Sequence, residues 1–254
     1  MKVPALSLVM ALVATQAAAL PLINEFAPNP PGGDPGTTSV ELLGTPGASF
    51  TGVLVFLESD GANGSVQNTG ADIEAVSGTF DADGLLVVTI PDNENPSYTV
   101  ILADSFSGNT SSDLDADNDG SLDAAGIARF GTVFDAFNIP DSNTDVAAVS
   151  YASDVGGTDL AFIGDEPQLI FRDGNDSSII YAIDDMAAPN SIFNAVTGEE
   201  VTFAELGLTA APLDGFNTFG DVNPGAPIVP LPASALLVLT GLGFLAARGR
   251  RTQA

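Results

Sequence analysis

Cysteine, histidine and tryptophan are all missing from this chain, and only six of its 254 residues are basic. Without cysteine there is no disulfide, no thiol nucleophile and no zinc–thiolate site. Without histidine the Ser-His and Cys-His hydrolase arrangements and most transition-metal sites are excluded. Without tryptophan the case for stacked-sugar recognition weakens. The shortage of positive charge excludes DNA and RNA as partners, because phosphate binding needs clustered lysine and arginine. The deficit is sharper in the middle of the chain. Lys2, Arg248, Arg250 and Arg251 sit at the ends, leaving Arg129 and Arg172 against all 33 acidic residues, a net charge of −31 for residues 20–227 compared with −27 overall. Such a charge repels an anionic membrane surface and strains the compact state, a strain that bound cations or high external salt relieve. The region of about 208 residues is long enough for its own core without staples.

The two ends carry addresses. Lys2, an apolar run over 3–13 and the small residues Ala17, Ala18 and Ala19 have the order of a secretory signal peptide, with cleavage after Ala19 starting the mature chain at Leu20. At the other end stand Val229, Pro230, Leu231, Pro232 and Ala233, then an uncharged apolar stretch, then Arg248, Arg250 and Arg251. Pro230 and Pro232 forbid a regular helix before Ala233. A hydrophobic helix over 233–247 has 15 residues, while the apolar run counted from Ile228 has 20, close to the ~20 a membrane span wants. The arginines keep the C-terminus cytoplasmic and act as a stop-transfer signal. An ordinary single-span anchor is the plainest reading of the helix alone. The whole pattern resembles the VPLPA variant of the PEP-CTERM sorting signal of Gram-negative bacteria. The resemblance covers about a tenth of the chain and implies an exosortase-type processing enzyme as partner, cleaving near the proline motif. It also implies a transient inner-membrane anchor and delivery to the cell surface or extracellular matrix. A removable hydrophobic tail is a familiar device, as in lipid-anchor signals.

Between the two signals the pattern is β. Short runs rich in Val, Ile, Leu, Phe and Thr alternate with Gly, Asp, Asn and Pro clusters, predicting strands over 22–26, 39–43, 52–58, 73–77, 85–90, 98–103, 160–163, 168–171 and 179–183. Residues 59–61 and 81–84 read as turns, and 124–130 and 203–206 as short helical turns. Residues 104–158 are poor in strand pattern and read as a long acidic loop insertion. Residues 186–227 read as an irregular region ending in a linker. The expected fold is all-β, a two-sheet antiparallel sandwich, followed by the one C-terminal hydrophobic helix. Ile23, Asn24, Glu25 and Phe26, then Pro28, Asn29 and Pro30, then Val40, Glu41 and Leu42 resemble the start of a lamin-tail domain. Residues 52–57 match that family's third strand. Where the family usually has an aromatic before the second Glu this chain has Val40, and in place of a Gly-Trp pair it has Gly52 and Val53. The resemblance implies an immunoglobulin-like sandwich over 20–185, a family of interaction modules more than of enzymes.

One motif carries chemistry. Asp113, Asp115, Asp117, Asp119 and Asp123 recur with Asn118, Gly120, Ser121 and Leu122 between them. Alternate carboxylates let one face of a curled loop offer oxygens to a hard cation, Gly120 permits the sharp turn, and Leu122 pins the loop to the core. The spacing resembles the calcium loops of thrombospondin type 3 repeats and the first half of an EF-hand loop. It implies side-chain ligation by Asp115, Asp117, Asp119 and Asp123, help from Asp113, and the Ser121 carbonyl. Position twelve of an EF-hand loop would be Gly126 instead of a bidentate Glu, so the expected calcium affinity is modest. The alternative is a solvated acidic loop with no ion. Glu25 and Glu41 superficially offer a carboxylate pair for glycoside cleavage, but bonding to backbone groups at the end of the sandwich is the favoured expectation. Arg172 is expected to pair with a carboxylate. The expected function is an exported, surface-sorted, non-catalytic interaction or matrix protein, calcium-stabilised, with a surface polysaccharide or protein as candidate partner. The alternative is an extracellular carboxylate- or calcium-dependent hydrolase acting on polysaccharide.

Overall fold

Eleven strands form among the described residues, and their packing explains why so many read as unbroken apolar runs. The computed structural model describes residues 20–30, 35–59, 64–67, 70–93, 97–141, 149–184, 191–209 and 216–227. The strands are β1 (Leu22–Phe26), β2 (Thr37–Leu43), β3 (Ser49–Glu58), β4 (Ile73–Thr79), β5 (Leu85–Pro91), β6 (Tyr98–Ala103), β7 (Val133–Ile139), β8 (Leu169–Arg172), β9 (Ile180–Ile183), β10 (Ile192–Asn194) and β11 (Glu200–Val201). They make two antiparallel sheets, a seven-stranded one ordered β11-β10-β9-β8-β1-β2-β5 and a four-stranded one ordered β4-β3-β6-β7. Phe26, Val40 and Leu42 of the first meet Leu54, Phe56, Tyr98, Val100, Leu102 and Phe137 of the second in the central core. Asp81 caps the turn from β4 to β5, its Oδ1 accepting the amides of Asp83 and Leu85, so this turn carries the chain from one sheet to the other.

Both sheets are also covered on their outer faces. Val55, Leu57, Ile101 and Ala103 of the smaller sheet are buried under Leu114, Leu122, Phe130 and Tyr151. Leu169, Phe171, Tyr181 and Ile183 of the larger sheet are buried with Leu206, and Phe216 and Phe219 pack against them. Residues on both faces of β6 are therefore fully buried, the condition under which a strand loses its polar alternation.

Three sequence expectations are corrected. Residues 104–158 are not a loop excursion: they supply β7 and the cover of the smaller sheet. Asp135 and Asn138 break the apolar pattern of β7 and hid it. Both are satisfied, Asp135 by Arg172 and the Ile23 amide, Asn138 by the Leu160 amide. Residues 160–163 form no strand, because the amides of Leu160 and Ala161 bond to the Asn138 side chain and the Ala195 carbonyl instead of a neighbouring ladder. Residues 186–227 contain β10 and β11, which extend the edge of the larger sheet. The helical expectation at 124–130 holds in shortened form, as a single turn α1 (Ala124–Ile127), and that at 203–206 holds as a 3-10 turn with the same bounds (Phe203–Leu206). The turn expected at 59–61 lies partly outside the described residues. The signal peptide with Ala17 and Ala19, the sorting motif 229–233, the helix 233–247 and the arginines at 248, 250 and 251 lie wholly outside them. Among the described residues no helix is long and apolar enough to cross a membrane.

Candidate functional site

The acidic loop is built onto the smaller sheet from both ends. Ser65 and Asp113 form an isolated bridge, the Leu114 amide donates to the Gly64 carbonyl, and the Asp123 amide donates to the Leu114 carbonyl at 2.8 Å. Leu114 and Leu122 are buried in the cover, so Leu122 does pin the loop. Between these pins the chain curls through Asn118 and Gly120, both at positive φ (55° and 88°), conformations that Asn and Gly tolerate best. The curl is organised by Asp115, which is fully buried. Its Oδ1 accepts the Asp119 amide at 3.1 Å, and its Oδ2 accepts the Gly120 amide at 3.0 Å and the Tyr151 hydroxyl at 2.8 Å.

Asp115, Asp117 and Asp119 converge, with one carboxylate oxygen from each lying within 4.8 Å of the others. At such spacing the like charges repel one another, an effect that water weakens around the exposed Asp117 and Asp119. The Asp117 carboxyl is held above its usual range, chiefly by the charge of Asp119. Asp113 and Asp123 stay outside the trio. Asp113 Oδ1 accepts the Asp115 amide and Asp123 Oδ2 the Ala116 amide, both at 3.0 Å, while the Ser121 amide donates to Asp119. Two contributors were not foreseen. Tyr151 reaches Asp115 from 36 residues away, and Asp154 accepts the Leu122 amide at 2.6 Å. Burial, then the bond to Asp115, pushes the Tyr151 hydroxyl far up. Neither has a local sequence signal, because both arrive through the 149–155 part of the cover.

A second polar site lies across the molecule. A bulge at Asn24 puts Glu25 opposite Glu41 in the β1–β2 register, and both are buried. Their oxygens hold the segment 216–227, which is irregular yet fastened along its length. Glu25 accepts the Thr218 amide at 2.7 Å and the Thr218 hydroxyl at 2.9 Å. Glu41 accepts the Gly220 amide at 2.6 Å and the Asn24 side-chain amide at 2.7 Å. Asn223 donates to the Asn24 and Arg172 carbonyls, and Asp173 accepts the Ala226 amide at 2.7 Å. A Cβ on Gly174 would collide with the Asn223 carbonyl, so close approach requires glycine there. The linker expected here is a strap. Burial, partly offset by the Thr218 bonds, raises Glu25 to about 7, and burial likewise raises Glu41. Arg172 meets its expected carboxylate, Asp135 of the opposite sheet, at 2.7 Å.

A cleft of about 410 Å³ lies beside the strap, lined by residues that include Thr37, Thr38, Gln168, Phe216, Asn217 and Phe219 and, among the described residues, by no charged side chain. No protein-family model matches the chain, and no curated protein or solved structure matches it either.

Proposed function

We propose that this is an exported, surface-sorted interaction or matrix protein whose body is an immunoglobulin-like sandwich of the lamin-tail kind, stiffened by calcium at the 113–123 loop. The observation that carries the sorting reading is the order of three parts at residues 229–251: proline motif, apolar run, arginines. An exosortase-type enzyme is the processing partner, and the apolar run holds the precursor in the inner membrane until then. The lamin-tail reading is supported by the pairing of β1, bearing Asn24 and Glu25, with β2, bearing Glu41. The non-catalytic reading is supported by the commitment of the Glu25 and Glu41 oxygens to Thr218, Gly220 and Asn24. The cleft, whose described lining is uncharged and includes two phenylalanines and amide side chains, suits a polysaccharide or protein partner better than a charged one. Calcium is supported by the convergence of Asp115, Asp117 and Asp119 and by the hard-oxygen character of the set.

The sorting reading is tested in an exosortase-bearing host. The native chain should reach the surface or medium with a mass lacking the tail, and a chain with 229–233 replaced by glycine and serine should stay in the membrane fraction. Identical fractionation and mass for both would end it. One observation favours the hydrolase alternative, a carboxyl raised to about 7 beside a second carboxylate. Polysaccharide turnover abolished by Glu25→Gln would replace the binding reading, whereas retention without turnover supports it.

A further inference from the structure

Where the strap meets β1, hydrogen-bond acceptors outnumber the protons available to them. Asn223 donates its side-chain amide twice, to the Arg172 carbonyl at 2.9 Å and to the Asn24 carbonyl at 3.3 Å. Those bonds fix which way the amide points and turn its Oδ1 toward Thr218. The Thr218 hydroxyl oxygen lies 2.7 Å from Asn223 Oδ1 and 2.9 Å from Glu25 Oε2. A hydroxyl has one proton, and neither an amide oxygen nor a carboxylate supplies another. With Glu25 ionised, one of these two contacts sets oxygen against oxygen with no hydrogen between them.

A proton on Glu25 Oε2 completes the row. The acid donates to Thr218 Oγ1, the Thr218 hydroxyl donates to Asn223 Oδ1, and Asn223 donates to the two carbonyls. Glu25 Oε1 still accepts the Thr218 amide at 2.7 Å. Glu41 differs. Its two oxygens face the Gly220 amide and the Asn24 side-chain amide, N–H donors that suit an ionised carboxylate.

The charges around Glu25 favour the proton. Glu41 acts on it from β2, and Asp221 of the strap and Asp81 of the β4–β5 turn act on Glu41, all of them negative. Asp173, at the end of β8, holds the Ala226 amide, and Glu205 of the 3-10 turn is bonded to Thr202. Arg172 of β8 spends its guanidinium on Asp135 and on the Ile23 and Ser177 carbonyls. Burial adds the largest push, in the same direction.

We propose that the strap is a proton-dependent latch: it docks with Glu25 as the neutral acid, and loss of that proton loosens residues 216–227 from β1, β2 and β8. An undocked strap leaves Glu25 in water, where it ionises like an ordinary carboxyl, so docking and proton uptake are linked. Docking is strongest below about pH 4.5 and weakens by up to roughly 300-fold as the pH rises through about 7. The strap ends just before the 229–233 motif, so loosening it gives that motif a longer leash. This last consequence rests on the sorting reading, whereas the latch does not.

The test is amide hydrogen exchange of the full-length protein from pH 5 to pH 8.5, corrected for the intrinsic pH dependence of exchange, with infrared difference spectra to locate the proton. Protection of 216–227 should fall at least tenfold over that range while protection of 113–123 changes little. Glu25→Gln, whose amide donates where the acid does, should hold the strap at pH 8.5 as firmly as the native chain holds it at pH 5. The carbonyl band of a neutral carboxylic acid, present in the native protein at pH 6, should vanish in Glu25→Gln and persist in Glu41→Gln. Native strap protection that ignores pH, a band that survives Glu25→Gln, or a strap loosened by Glu25→Gln at every pH would each overturn the proposal. Failure of tail processing in an exosortase-bearing host would end the sorting reading and leave the latch standing.

Discussion

The two outer faces of the sandwich are covered by opposite means. Over the smaller sheet, residues 104–130 and 149–155 lay down an apolar underside of Leu114, Leu122, Phe130 and Tyr151 and turn Asp117 and Asp119 outward above the buried Asp115. Over the larger sheet, the strap 216–227 relies on hydrogen bonds to buried Glu25, Glu41 and Asp173 as well as on Phe216 and Phe219. The first cover concentrates like charge at its surface, so cations are expected to act on it. The second buries charge beneath it and responds to protons. A very acidic chain can thus place excess carboxylate where an ion neutralises it, or desolvate it until it takes up a proton.

The sharpest way to break this arrangement is at the joint between the halves. Arg172 reaches Asp135 across the sheets, and its carbonyl also holds Asn223. Arg172→Ala leaves Asp135 buried without its cation and should cost about 3–5 kcal/mol in denaturant unfolding. Arg172→Met with Asp135→Leu should recover much of that, because an apolar pair avoids the desolvation.

Calcium should separate the covers. At a calcium concentration ~100 times the dissociation constant a single site adds about 3 kcal/mol. Asp117→Asn/Asp119→Asn should remove the loop's share of the calcium-dependent rise in melting temperature, and Asn223→Ala should leave it intact.

Protons should separate them in the other direction. Glu25 titrates near 7 when folded and near 4.5 when unfolded, so between those values the folded state holds more protons. Its contribution is present in full below about pH 4.5 and is lost as pH rises through about 7, a span corresponding to about 3 kcal/mol at most. Glu41, Glu74 and Asp184 are shifted the same way. The lowered groups, Asp104, Asp176 and Glu205, are solvent-exposed. Melting temperature should therefore climb from pH 8 to pH 5, and Glu25→Gln should flatten most of the rise. The smallest effect belongs to Asn223→Ala, about 2 kcal/mol for its three lost side-chain bonds, to the Asn24 and Arg172 carbonyls and the Thr218 hydroxyl, with hydrogen exchange accelerated in 216–227 and unchanged in 113–123.

Strands with uninterrupted β-branched and aromatic runs were readable from sequence, and β1 to β6, β8 and β9 fall within two or three residues of their expected bounds. So was the acidic loop, because its spacing is local and Leu122 follows it. What stayed hidden is polar and distant. β7 was masked by Asp135 and Asn138, whose partners lie 37 and 22 residues away. The strap was masked because its anchors, Glu25 and Glu41, precede it by 193 and 179 residues. Tyr151 and Asp154 reach the loop only through the folded cover. Hydropathy periodicity records which face of a strand is buried, and it carries no record of a carboxylate awaiting a backbone amide from the far end of the chain.

The strap also has a mechanical consequence. Ala226 is fastened through both its amide, to Asp173, and its carbonyl, to Asn175. Val229 follows three residues later, a reach of about 10 Å. Tension applied beyond residue 227 therefore enters the fold at β8, β1 and β2, the fourth, fifth and sixth strands of the seven-stranded sheet. A pull there must shear bonds in parallel among interior strands, whereas a pull on the two-residue edge strand β11 would unzip the sheet one bond at a time.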